Sequence, residues 1–207
     1  MKDLRAYGGV PADQRRNDRR GKLVAAVFDV VATDGIHAVT VRKVAANAGL
    51  STRYVYESFA DVDDLLRGAF DVAASEMVST VEAAIRETSC DLRSTITATV
   101  TAIVDLLIGS PNLGTLLLSS GVPVTATRRR DLLETVASAL IRDAGLDRSP
   151  LRQGDRAIDL VAWFLLGAFT RTLDSWSQQL LLYSREQFIH DNVELLLAVV
   201  GAAEKLT

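Results

Sequence analysis

The sequence predicts an all-α protein of about nine helices, because three observations agree. Apolar residues recur at a 3.6-residue period almost everywhere along the chain. The β-branched cluster at 95–104 shows no alternation bounded by hairpin turns. Glycine, proline and polar residues cut the chain into pieces of helix length. Of 207 residues, 48% are hydrophobic and 24% charged, so a packed core is available and overall disorder is excluded. That length suits one domain or two small ones.

Residues 1–17 are polar, contain Gly8, Gly9 and Pro11, and read as a flexible basic arm. A first helix is expected over 18–33, with Leu23, Val24, Val27, Phe28 and Val31 on one stripe and Gly35 ending it. A short helix follows over 40–48, with Thr40 as N-cap and Val41, Val44, Ala45 and Ala48 inward. Gly49 and Leu50 make a turn, and Ser51 caps a third helix reaching Phe59. Asp61 caps a long fourth helix, to about residue 88, carrying Leu65, Leu66, Ala69, Phe70, Ala73, Met77, Val81 and Ile85. Breakers at 90–91, 109–111, 121–123, 145–150 and 182–184 delimit five further helices, over 92–108, 112–119, 123–144, 151–181 and 184–205. We find no internal repeat and no low-complexity tract.

Net charge is −3, yet the charges are unevenly placed. Residues 1–60 hold ten Lys and Arg against six Asp and Glu, a balance of +4, and the rest of the chain stands at −7. A basic end on an acidic body suits a small polyanion-binding module, although chance fluctuation gives the same split. One cysteine, Cys90, excludes an internal disulfide framework and a cysteine-based zinc site, and it reads as a free, partly buried thiol. No apolar stretch near the N-terminus resembles a secretory signal. The uncharged stretch 106–127 is long enough to cross a bilayer but is broken by Gly109, Pro111, Gly114, Gly121 and Pro123. A soluble, cytoplasmic protein with no membrane partner is therefore expected.

Residues 40–59, TVRKVAANAGLSTRYVYESF, have the form of a helix-turn-helix. Ala45 is small where the second helix crosses close, Gly49 sits where positive φ is needed, and Leu50 fills the angle between the helices. Val44, Val55 and Phe59 face the first helix. Arg42, Lys43, Thr52, Arg53, Tyr54 and Tyr56 remain outward, and their guanidinium and hydroxyl groups suit base edges and phosphates. Periodicity alone also fits an ordinary helical bundle in which Tyr54 and Tyr56 pack.

The run from Arg20 to Leu66 resembles the DNA-binding domain of the TetR-type transcriptional regulators. The resemblance covers Ala25, Ala26, Phe28 and Gly35, then Thr40-Val41-Arg42-Lys43-Val44-Ala45, Ala48-Gly49-Leu50-Ser51, Val55-Tyr56, Phe59 and Asp63-Asp64-Leu65. It implies an N-terminal three-helix DNA-binding domain over 18–60 and a helical effector-binding and dimerisation domain over 61–207. It implies DNA contacts from Thr40, Arg42, Lys43, Ser51, Thr52, Arg53, Tyr54 and Tyr56, with Tyr56 on a phosphate. Three positions depart from the pattern: Arg53 replaces a small residue, Ser58 replaces His or Tyr, and Val62 replaces a Lys at the start of the fourth helix. The basic cluster Arg15, Arg16, Arg19, Arg20 and Lys22 then reads either as an arm reaching phosphates or a minor groove, or as a solvated tail.

Residues 157–177 and the following SREQFIHDNVELLLAVV look like the last two helices of that family's second domain. The run 161–169 is apolar on every face and needs cover on all sides, and the last helix carries Phe188, Val193, Leu196, Leu197 and Val200 on a stripe. A homodimer through the helices near 151–181 and 184–205 follows as an expectation. Met77, Val104, Leu107, Ile108, Leu117, Trp163 and Phe164 are the candidate lining of a site for a small hydrophobic effector, uncharged or cationic, though such residues equally make ordinary core. Asp105 reads first as a solvated surface aspartate, and only if buried would it be an anchor for a cationic effector. Arg128 and Arg129 read as a solvated face neutralised by Asp131 and Glu134.

An enzyme or a protein-binding scaffold without specific DNA binding is the competing class. Only Glu186 and His190 have a metal-ligand spacing, His37 falls in a loop, and no catalytic residues, metal site or cofactor are expected. The chain has no P-loop, dinucleotide fingerprint or nucleophile elbow. A ligand-responsive homodimeric repressor binding a palindromic double-stranded DNA operator is the function these expectations converge on.

Overall fold

The computed structural model describes residues 12–88, 91–119, 122–123, 126–143 and 156–203. Among the described residues the regular structure is entirely helical: α1 (Ala12–Asp34), α2 (Val41–Asn47), α3 (Thr52–Ser58), α4 (Val62–Arg86), α5 (Leu92–Gly109), α6 (Pro111–Leu118), α7 (Ala126–Asp143), α8 (Arg156–Ser177) and α9 (Arg185–Ala203). The expected all-α architecture and order of helices are present. A single 3₁₀ turn at Ile36–Ala38, for which no periodic signal exists, separates α1 from α2.

Two compact units share the chain. The first takes residues up to Ala73 together with 111–124, so it includes α6 and the opening turns of α4 as well as α1–α3. In it, α1 packs on α2, α3 and α6. Its core is Leu23, Val27, Val30, Val44, Val55, Phe59, Leu65, Phe70, Leu113 and Leu116, all but fully buried. The Asn112 amide adds a hydrogen bond to the Phe28 carbonyl at 3.3 Å.

The second unit holds the rest of α4 with α5, α7, α8 and α9. Here α5 packs on α9 and α7, and α8 packs on α9. The buried face of α5 carries Ile96, Val100, Ile103, Val104 and Leu107, with Thr95 and Thr99 among them. α5 is long and apolar enough to cross a membrane by length and composition, but two ion pairs bind it to α9 instead. Arg93 near its start holds Glu194, and Asp105 near its end holds Arg185 in a forked pair at 2.6 and 2.7 Å. Those positions make the two helices antiparallel. The Thr172 hydroxyl on α8 also donates to the Asn192 side chain on α9 at 3.4 Å.

Helix ends show where sequence signals succeed and fail. Thr40 caps α2, its hydroxyl accepting from the Lys43 amide at 3.2 Å. At the other end of α2, the Leu50 amide reaches the Ala45 carbonyl at 2.9 Å and the Gly49 amide reaches Ala46 at 3.2 Å. This pattern closes a helix when one residue turns left-handed, and Gly49 does so at φ 64°. α8 ends the same way four residues before the expected stop at 181, with Gln179 at φ 58° and Leu180 bonded to the Ser175 carbonyl. A non-glycine residue in that conformation leaves no mark in the sequence.

α1 starts at Ala12, so residues 12–17 of the expected flexible arm are helical, while residues 1–11 lie outside the described residues. No Gly or Pro follows Pro11 until Gly21, and arginine is a good helix former. Cys90 also lies outside the described residues.

A Cβ at Gly49 would meet no heavy atom within 4 Å, so Gly49→Ala isolates the backbone cost. It should destabilise the protein by about 1–2 kcal/mol. Gly21→Ala, equally open but inside α1, should stabilise it by about 0.5–1 kcal/mol. Urea denaturation monitored by circular dichroism measures both.

Candidate nucleic-acid interface

α2 and α3 are seven residues each, and each turns one narrow side inward. Val44 and Ala45 are the buried residues of α2, and Val55 is that of α3, with Phe59 buried just beyond its end. Geometry then forces the remaining side chains outward. Thr40, Arg42, Ser51, Thr52, Arg53, Tyr54 and Tyr56 are all exposed, and Lys43 is half-buried. Ser51 has the extended dihedrals of an N-cap, yet its hydroxyl makes no capping bond, unlike that of Thr40. The expectation that its side chain caps α3 is corrected accordingly.

The cations on this surface are not equally available. Arg53 is tied to Glu57, one turn along α3, at 2.9 Å. Lys43 is tied to Asp34 at the end of α1 at 3.1 Å. The Asp34 carboxyl is held below its ordinary value by the Thr33 hydroxyl first and by Lys43 second. Arg42 is exposed and makes no ion pair with the described residues. At the start of α4, where Val62 stands, the Asp64 amide donates to Asp61 at 2.7 Å and the Ala60 amide to Asp64 at 3.1 Å. These carboxylates satisfy the first turn of α4 and make it acidic.

Sequence reasoning missed the surroundings of α3. The Arg16 and Arg20 side chains on α1 donate to the Glu57 and Ser58 carbonyls at 2.9 and 2.7 Å. The Arg20 guanidinium lies 4.1 Å from the Phe59 ring centre, and the Arg19 guanidinium 4.9 Å from that of Tyr54. Gly68 on α4 completes the packing, because a Cβ there would come within 2.9 Å of the Phe59 ring. A lone glycine inside an otherwise unbroken helix pattern was the available signal.

The residues named for an effector site are more scattered. Met77, Val104 and Leu107 are buried in the second unit. Leu117 is buried in the first unit. Ile108 and Phe164 are exposed at 50% and 64%, and the side chain of Trp163 lies outside the described residues. Asp105 is exposed, as its reading as a surface aspartate expects, and is paired with Arg185, so the alternative of a buried anchor falls. Arg129 is half-buried rather than solvated, and burial lowers its pKa. A groove of about 310 Å³ does lie along α5 and α9, but it is charged, with Arg93, Thr97, Arg185, Glu186, His190 and Glu194 among its walls. Among the described residues no three His, Cys, Asp or Glu side chains gather as a metal site would require.

Comparison with known proteins bears on the same segment. Residues 23–69 match the family model of bacterial regulatory proteins, tetR family. Over 92 residues the chain is 32% identical to the HTH-type transcriptional activator FasR of Mycolicibacterium smegmatis, a match spanning 44% of this chain and 42% of that protein. The fold is similar to a TetR-family transcriptional regulator from Streptomyces coelicolor, with a TM-score of 0.70 at 17% identity over 89% of this chain and 99% of that one. The fatty acid degradation regulator FadR from Bacillus halodurans gives a TM-score of 0.65 at 18% identity over 86% and 94%. These proteins are transcriptional regulators rather than enzymes. The segment at residues 23–69, built on α1–α3 and the start of α4, is therefore similar to the tetR family of bacterial regulatory proteins, and the solved structures share its fold.

Proposed function

We propose that the protein is a cytoplasmic, homodimeric transcriptional regulator that binds a two-fold symmetric DNA site through α2 and α3 and answers to a small hydrophobic effector. The observation that carries this reading is the division of labour on the two short helices. Val44, Ala45 and Val55 are consumed by the core, and Arg42, Thr52, Arg53, Tyr54 and Tyr56 are left on the solvent side. Thr40, Lys43 and Ser51 flank that set and complete the proposed contacts. α3 is the helix we place in the major groove. Repression asks only that a bound dimer occupy the promoter, and a transcription assay with and without the footprinted site decides between that and the activation named for the relative.

Footprinting the DNA beside the protein's own gene should locate the site. On that duplex, Arg53→Ala should cost about 1–3 kcal/mol and relax the preference at one base pair. Tyr56→Phe should weaken binding to all sequences alike. Fluorescence anisotropy on specific and scrambled duplexes measures both, and equal losses from Arg53→Ala on the two duplexes would move Arg53 to the backbone.

Dimerisation is supported by apolar side chains that a single chain leaves uncovered. Phe164 on α8 and Leu195 on α9 are exposed at 64% and 62%. A second copy placed on these helices would bury both, in a bundle with two-fold symmetry. Sedimentation should give twice the 22.4 kDa chain mass at micromolar concentration. Phe164→Glu with Leu195→Glu should yield a folded monomer with unchanged helical circular dichroism.

For the effector, Met77, Val104 and Leu107 are buried apolar side chains of the second unit, and the buried Thr99 hydroxyl on α5 has no hydrogen-bond partner. An unsatisfied polar group in an apolar core suits a ligand that carries an acceptor or donor. We read α4 as the carrier of the signal, since it gives 62–73 to the first unit and 74–86 to the second. An effector that lowers DNA affinity tenfold needs about 1.4 kcal/mol of preference for the DNA-free dimer. A thermal-shift screen of uncharged and cationic hydrophobic compounds, followed by DNA titration, should return hits that stabilise the protein and weaken DNA binding together. Hits that stabilise it with DNA affinity unchanged would remove α4 as the carrier.

A further inference from the structure

α3 ends with carbonyls that no residue of its own can satisfy. Its last turn contains no basic side chain, and the chain leaves at Phe59 in an extended conformation. The Phe59 amide takes up the Val55 carbonyl at 2.8 Å. The Glu57 and Ser58 carbonyls point out of a helix terminus, where the backbone dipoles concentrate negative potential. Both are met by cations from another helix: Arg16 by hydrogen bond to Glu57 at 2.9 Å and Arg20 to Ser58 at 2.7 Å. These bonds span 41 and 38 residues of sequence. One turn apart on α1, the two arginines meet successive carbonyls of α3.

The same stretch of α1 also touches side chains. Arg20 lies on the Phe59 ring, which also packs close to the bare α-carbon position of Gly68. Arg19 lies over the ring of Tyr54, and its Nε is buried without a hydrogen-bond partner. The face of an aromatic ring is therefore the contact that holds the Arg19 guanidinium. Tyr54 is one of the residues assigned above to the groove.

We propose that Arg16, Arg19 and Arg20 are positioning residues that clamp the recognition helix. Arg16 and Arg20 fix the C-terminal end of α3, and Arg19 fixes the ring of Tyr54. This inference rests on the reading of α3 as the DNA-recognition element, and it differs from both expectations for the basic cluster. Arg16 and Arg20 each give a bond to a protein carbonyl, and Arg19 and Arg20 lie on rings, so the three are held against α3 rather than forming a free tail.

Hydrogen exchange on the full-length, DNA-free protein tests the clamp without reference to DNA. Arg16→Ala, at an exposed position that the core does not need, should speed exchange of the α3 amides by at least about fivefold while α2 keeps its protection. Arg20→Ala should do the same, and if it fails to fold, Arg16→Ala alone decides. Binding is then measured by anisotropy against the footprinted duplex and against a mixed-sequence duplex over a range of salt. Arg16→Ala should weaken the footprinted duplex about fivefold and leave the mixed-sequence affinity and its salt slope unchanged. Unchanged exchange in α3 would overturn the clamp. So would a salt slope reduced by about one for each arginine removed, since that marks a phosphate contact. If the wild-type protein binds neither duplex, the DNA reading falls while the exchange result still decides the clamp.

Discussion

A helix of two turns cannot hold itself. Nucleation is unfavourable and isolated helices shorter than about 12–15 residues are marginal in water, so α2 and α3 exist only through what they pack against. Each contributes seven residues, and α3 has a single buried residue of its own, Val55. Phe59 adds the second anchor from just outside the helix. Around that minimal hold the first unit is arranged: α1 as the backing, Gly68 on α4 as the gap into which the Phe59 ring fits, and α6 closing the core with Leu113 and Leu116. The narrowness of the buried side is also what leaves so many side chains of α3 facing water. A longer, better buried helix would display fewer of them.

What the sequence made legible is what depends on near neighbours. Thr40 as a cap, Gly49 as a left-handed turn and Val44, Ala45, Val55 and Phe59 as the inward set are all decided within about twenty residues, and each carries a recognised signal. The start of α1 escaped for the opposite reason. Residues 12–22 hold no apolar stripe, and the groups that satisfy their arginines, Glu57 and Ser58, lie around forty positions away. Asp105 escaped likewise, since its partner Arg185 is 80 residues along the chain. The effector list was least legible. Periodicity finds apolar side chains but cannot distinguish those a single chain buries, such as Val104, from those it leaves bare, such as Phe164.

The second unit is joined by a different balance of forces. Its central helix α5 presents threonines beside valines and isoleucines on the buried face, and Thr95 returns its hydroxyl to the Asp91 carbonyl while Thr99 has no partner. The ion pairs to α9 are exposed and screened by solvent, so they fix register more than they add stability. Beyond α8 the chain turns through Gln179 and Leu180, with Trp176 stacked on Phe188 at 4.6 Å and donating to the Tyr183 carbonyl. This corner is tied by an aromatic pair and a hydrogen bond where glycine or proline would be the usual means.

The ion pairs Arg53–Glu57 and Lys43–Asp34 make the surface of α2 and α3 partly self-neutralised. Any polyanion that settles there must take each cation from a carboxylate that already holds it. For a ligand offering charge alone, the exchange returns little, because one anion replaces another and the displaced carboxylate now repels it. A ligand that also engages the hydroxyls of Thr52 and Tyr54 gains contacts the carboxylates never made. If DNA is that ligand, the carboxylates act as internal competitors, weakening attachment to nucleic acid in general more than attachment to a matching sequence.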